Sequence, residues 1–256
     1  MDKTTDYRSV LRSLTDWEPY LRAESGLPGP RGNLELIQAA ASEATPHQIE
    51  QLLAYTPDVA PENTPSVFLA ACGTVALGRL LAEGQADVLP RLRTLANDPR
   101  WRIRESVAMA LQRLGDADLP RLIASVRPWA QGTLFEQRAA AAALCEPRLL
   151  RTAPSARAAL DLLDEITRAI PNLNNRKSAG FEALRKGLAY CWSVAVAALP
   201  EEGKPRFAAW TPSPDPDIRW ILRENLKKNR LLKMDAAWVR DMQEQLESHR
   251  PAVARI

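Results

Sequence analysis

Apolar positions recur at helical spacing along almost the whole of this chain. Ile103, Val107, Ala108 and Leu111 share one face of a helix, as do Ile218, Leu222 and Leu226 at i, i+4 and i+8. This spacing predicts that both sets are buried. β-Branched residues are scattered and no convincing strand pattern occurs, so an all-α chain is expected. The breaks between periodic segments carry start signals. Thr45-Pro46, Thr64-Pro65, Asp98-Pro99 and Asp215-Pro216 each place a capping side chain before a proline. The cap oxygen accepts from an orphan N–H, and proline at the first helical position forfeits no hydrogen bond. Asp98 and Asp215 are therefore expected to cap the helices that follow them, and Thr45 with Gln48 fits a capping box.

These signals predict helices over 5–23, 34–44, 46–55, 65–83, 87–96, 99–114, 119–129, 134–144, 154–170, 177–199, 201–210, 216–229 and 236–248. A loop at 26–32 rich in glycine and proline ends the first of them. A polar loop at 171–177 interrupts the series. The expected organisation is one continuous repeat domain over 1–256, with a non-repeat N-terminal helix at about 1–25.

A short phrase recurs within this helical pattern. Asp98-Pro99-Arg100-Trp101-Arg102-Ile103-Arg104-Glu105 opens one helix, and Asp215-Pro216-Asp217-Ile218-Arg219-Trp220 opens another. Weaker copies centre on Arg138 and Arg185. Arg138 follows Arg104 by 34 residues, and Arg185 precedes Arg219 by 34. A period in this range predicts stacked helix pairs that share one long core.

Composition narrows the class without naming a job. The 256 residues are 46% hydrophobic and 25% charged with a formal net charge of +3, which suits a soluble globular protein. That charge permits a nucleic-acid partner without arguing for one. No apolar run is expected to reach the roughly 18 residues of a membrane span; 181–200 comes closest, interrupted by Glu182, Arg185 and Lys186. The polar start of the chain predicts no signal peptide. Cys72, Cys145 and Cys191 lie far apart in apolar helical contexts, so buried reduced thiols and a cytoplasmic location are expected. With His47 and His249 as the histidines, no metal site and no cofactor is expected.

The segment Asp98-Pro99, Ile103-Arg104-Glu105, Ala108, Leu111-Gln112 and Leu114-Gly115-Asp116 resembles the second half of a HEAT repeat, and Asp215 to Leu226 does so less closely. The resemblance covers roughly 34–248. It implies a right-handed superhelix, an armadillo-type α-solenoid of antiparallel helix pairs. It also implies that Asp98 and Asp215 cap, and that Arg104, Arg138, Arg185 and Arg219 form a ladder to the turns of neighbouring repeats. HEAT-like arrays include scaffolds, transport receptors, bilin lyase subunits and alkylpurine DNA glycosylases, so the fold leaves function open.

Four features are candidates for binding. The repeat arginines serve either stacking or a row of cations on a concave face. The basic segment Arg219, Arg223, Lys227, Lys228, Arg230 and Lys233, with Glu224 the acid among them, is either a solvated helix end or a phosphate-binding surface with Trp220 as a stacking ring. Arg100, Trp101 and Arg102 interleave an aromatic ring with cations, which suits bases and also suits a wedge between repeats. The polar loop 171–177 is either a connector or a binding edge. Asp161, Asp164 and Glu165 cluster on one helix and are expected to pair with Arg157 and Arg168. No catalytic triad pattern or phosphate loop is found. The reading is a noncatalytic scaffold that presents a concave face to a protein partner, with no membrane association. The alternative is a nucleic-acid-binding protein similar to the HEAT-like glycosylases.

Overall fold

The computed structural model describes residues 3–248, and all regular structure among them is helical. The chain groups into two compact units, up to Leu122 and from Ile123 onward.

The first unit begins with α1 (Lys3–Ser13) and α2 (Glu18–Ala23), followed by α3 (Leu34–Glu43), α4 (Pro46–Leu53), α5 (Pro65–Ala82), α6 (Val88–Leu95) and α7 (Trp101–Ala117). The start of α8 (Leu119–Val126) closes it. The expected single helix over 5–23 is two helices. Pro19 has no N–H to give the turn before it, so the first helix stops early. Asp16 then accepts from the Glu18 N–H at 3.0 Å, and the Trp17 indole donates to the Leu11 carbonyl at 2.9 Å across the break.

α1, α3, α5 and α7 pack side by side in that order, while α2, α4 and α6 lie against α5. That makes α5 the centre of the unit. Its residues from Val67 to Gly78 are all buried. This helix corrects the expectation about apolar runs: its 18 residues, at a mean hydropathy of 1.5, are long and apolar enough to cross a membrane, and 78% of them are buried in the protein. Thr45 forms the expected capping box with Gln48. Thr64 makes no cap; its hydroxyl donates instead to the Pro61 carbonyl at 2.7 Å.

The second unit contains α9 (Leu134–Leu144), α10 (Ala153–Ala169), α11 (Ala179–Ala198), α12 (Pro200–Ala208), α13 (Pro216–Leu226), α14 (Asn229–Met234) and α15 (Ala236–Ser248). Short 3-10 turns occupy Arg127–Gln131 and Ile170–Asn172. The helix expected over 216–229 ends at Leu226, and α14 is additional. α9, α11, α13 and α15 pack in order, with α10, α12 and α14 against α11. In the first unit the row α1, α3, α5 and α7 has longer helices than α2, α4 and α6, whereas in the second α10, with 17 residues, is longer than α9, α13 and α15. Trp192 packs edge-on against Phe207 at 6.0 Å, and Phe207 against Trp238 at 5.5 Å.

The repeat register lands on equivalent elements: Arg104, Arg138, Arg185 and Arg219 lie in α7, α9, α11 and α13. Ile103, Val107, Ala108, Leu111, Ile218, Leu222 and Leu226 are all buried, as the spacing predicts.

Candidate binding surfaces

In the first unit the loop after α2, the start of α3, α5 and one face of α7 enclose a groove of about 400 Å³. Its walls are largely apolar: Leu27 and Leu34 on one side, Phe68 below, Trp101 and Met109 on the other. The loop reaches this position by turning at Gly26, whose φ of +72° suits glycine; a side chain there would also meet the Arg31 carbonyl. Trp101 is the exposed tryptophan among the seven, at 44%, and Leu34 is exposed beside it. The α7 stripe Trp101, Glu105, Met109 and Gln112 faces the groove, on the side away from the buried stripe of Ile103, Val107 and Leu111. Arg102 stacks its guanidinium on the Trp101 ring at 4.5 Å and donates to the Gly29 carbonyl at 2.7 Å, with Glu62 3.3 Å from its Nε. One cation therefore braces the ring and ties α7 to the loop.

Arg100 has a different fate from the one its neighbours suggest. It is only 5% exposed, and its fork holds Asp98 through Nε at 2.9 Å and Nη2 at 2.8 Å. Its Nη1 donates to the carbonyls of Tyr55 and Ala60. Every group that could meet a phosphate is engaged inside the unit. This also explains why Asp98 is not the expected cap. Six residues separate Asp98 from Arg104, whereas four separate Asp215 from Arg219. The two extra residues hold Asp98 back from the first turn, where Arg100 takes its carboxylate. The helix start is served by Glu62, which accepts from the Arg102 N–H at 3.4 Å. Asp215 does cap, accepting from the N–H groups of Asp217 and Ile218 at 2.9 and 3.2 Å.

The repeat arginines do not share one role. Arg104 donates to the carbonyls of Asp98 and Pro99 in the turn before its own helix. Arg219, 2% exposed, reaches back to the carbonyls of Thr211 and Ser213 and onward to Leu246 in α15. Arg185 meets a side chain of the next long helix, binding Asp217 of α13 at 2.7 Å. Arg138 is half-buried in α9, where its Cγ lies 3.2 Å from where a Cβ on Gly187 of α11 would stand.

Trp220 is not a free ring. The Arg185 guanidinium covers it at 4.4 Å. The loop at 171–177 is tied into the same place, because Arg176 pairs with Asp215 at 2.7 Å and Asp217 at 3.1 Å. Two cations of the basic segment have local contacts as well. Lys227 pairs with Glu224 at 2.5 Å, and Arg230 lies over the Tyr190 ring at 4.7 Å while donating to its hydroxyl. Arg223 is exposed and Lys228 half-buried. Lys227, Lys228 and Arg230 border a second groove, of about 640 Å³, within the second unit.

The carboxylate cluster on α10 has its nearest partners on other elements, although Asp161 still acts on Arg157 through space as the spacing predicts. Asp161 and Asp164 bind Arg206 of α12, Arg157 binds Glu202, and Glu165 accepts from Gln131. Each is a structural link between elements. The three cysteines are free and buried, and burial pushes the thiols of Cys72 and Cys145 up, the latter with help from neighbouring Cys191. Among the described residues no group of three or more His, Cys, Asp or Glu side chains is placed to hold a metal ion; His249 lies outside them.

Sequence reasoning singled out Trp101 and the cations but missed the apolar residues around them. Met109 carried a signal: it is apolar, yet off the buried stripe of α7. Leu27, Leu34 and Phe68 carried none, because their proximity to Trp101 comes from packing. No protein-family model, curated protein or solved structure matches the chain. The likeness to HEAT repeats therefore rests on the residues quoted for it.

Proposed function

We propose that this protein is a noncatalytic scaffold, a HEAT-like right-handed α-solenoid, that binds a protein partner through the groove beside Trp101. The observation that carries this reading is a large aromatic ring, 44% exposed, standing over an apolar groove of about 400 Å³. Apolar surface that a fold leaves open around an aromatic anchor is the ordinary core of a protein interface. The occupant that fits is a peptide segment or helix presenting one or two apolar side chains. Arg31, Arg102, Glu105 and Gln112 offer it a polar rim.

Two further points favour a protein over nucleic acid. Base stacking needs an open ring and phosphate needs uncommitted cations. Arg100 is held by Asp98 and two carbonyls, and Trp220 by Arg185. In the groove lining the Ser106 hydroxyl donates to the Arg102 carbonyl of its own helix. The alternative, a nucleic-acid-binding protein, retains Arg223 and Lys228 as its support.

Affinity capture from native cells tests the choice, using the wild type and Trp101→Ala with and without nuclease. The expected result is a nuclease-resistant protein captured by the wild type and lost with Trp101→Ala. Capture abolished by nuclease, or indifferent to Trp101, would overturn the reading.

A further inference from the structure

The second unit holds a groove of about 640 Å³ built from one face of α11, the chain between α9 and α10, and the turn between α13 and α14. Leu150, Val194 and Ala197 give it an aliphatic floor. Lys227, Lys228 and Arg230 stand on its rim, and no acidic residue lines it. Glu224 answers Lys227 alone, through an exposed pair of the kind that contributes little and exchanges readily. Arg230 is held in place by Tyr190, which is neutral, so its charge is oriented and not cancelled.

We infer that this groove docks an acidic peptide segment of a partner protein, with an aliphatic side chain on the Leu150–Val194 floor and flanking carboxylates on Lys228 and Arg230. The charge complementarity is one-sided: three cations border the groove and nothing in its lining opposes an anion. The floor decides among anionic partners. A phosphate backbone gains nothing from aliphatic carbon, and no aromatic side chain lines the groove for a base to stack on. A peptide supplies carboxylates and an aliphatic side chain together. This inference goes beyond the Trp101 reading and does not depend on it.

The test is fluorescence anisotropy on the full chain with a short labelled peptide in which glutamates flank two leucines. The expected result is saturable binding that weakens as ionic strength rises. Lys228→Glu should weaken it roughly tenfold or more by placing like charge at the rim. Ala197→Glu, which fills the floor with a carboxylate, should do the same. Circular dichroism melts establish that each variant folds, and Lys228→Gln serves as a milder variant with a smaller loss in the same direction. Trp101→Ala should leave peptide binding unchanged, which separates this groove from the first. A peptide with serines for leucines should bind at least several-fold more weakly. Equal binding of the serine peptide, indifference to both Lys228 variants, or preference for oligothymidylate or phosphatidylglycerol vesicles over the peptide would each overturn the proposal.

Discussion

Gly78 and Ala110 bring the backbones of α5 and α7 into direct contact. A Cβ built on Gly78 would stand 2.6 Å from the Ala110 Cα and would run into the Ala110 carbonyl. By helix propensity alone, alanine at an interior glycine gains about 1 kcal/mol. Here the neighbour is rigid backbone, so the clash outweighs that gain. Gly78→Ala should destabilise the protein by about 1–3 kcal/mol, the usual cost of overpacking. A thermal melt measures it, and a stabilised variant would show that the two helices are further apart.

The two Asp-Pro phrases should respond differently to the same substitution. Asp215→Ala removes a helix cap and should cost about 0.5–2 kcal/mol. Asp98→Ala leaves Arg100, buried with its partner, without a counter-charge; breaking such a pair costs about 3–5 kcal/mol. The Tyr55 and Ala60 carbonyls still accept from Arg100, so the lower end of that range is expected. Urea titrations of the two variants should therefore rank Asp98→Ala as the more damaging.

Acid should loosen the α1–α3 contact. Glu43 of α3 accepts from Arg12 at 2.7 and 2.8 Å and is also bridged by Arg8. The hydrogen bonds from Arg12 and Arg8 outweigh its partial burial and hold its carboxyl below the ordinary glutamate value. A depressed carboxylate contributes stability that is fully present above the unfolded value and is lost as the pH falls through the folded one. Wild-type stability should thus decline below the ordinary glutamate range. Glu43→Gln should be less stable near neutrality and show a smaller decline in acid, as read by denaturant midpoints against pH.

Asn225 should be hard to replace. It is fully buried in α13, accepts from the Ser193 N–H at 2.8 Å and donates to the Leu188 carbonyl at 2.9 Å, both in α11. Asn225→Leu keeps the volume but removes two hydrogen bonds that tie α13 to α11, at about 0.5–1.5 kcal/mol each. Hydrogen exchange at the Ser193 amide should accelerate as stability falls.

The fold was legible wherever a local signal decided it. Helical spacing placed the long helices, and the spacing of Arg104, Arg138, Arg185 and Arg219 placed alternate helices in register. Misreadings arose where a nearby competitor was overlooked. Pro19 breaks the first helix, and Arg100 draws Asp98 away from the helix start. The binding surfaces were less legible, because they are assembled from residues far apart in sequence. Each ring carries one stacked guanidinium, Arg102 on Trp101 and Arg185, 35 residues earlier, on Trp220, yet Trp101 is exposed and Trp220 half-buried. The two sequence contexts look alike; packing separates them.

Site-directed photo-crosslinking in the native cell tests the scaffold reading most directly. A photo-reactive phenylalanine analogue replaces Trp101 in one variant and Arg223 in another, and adducts are analysed before and after nuclease. A discrete protein adduct from position 101 that survives nuclease is the predicted result. Nucleic-acid adducts from position 101, or from position 223 with no protein adduct at 101, would contradict it.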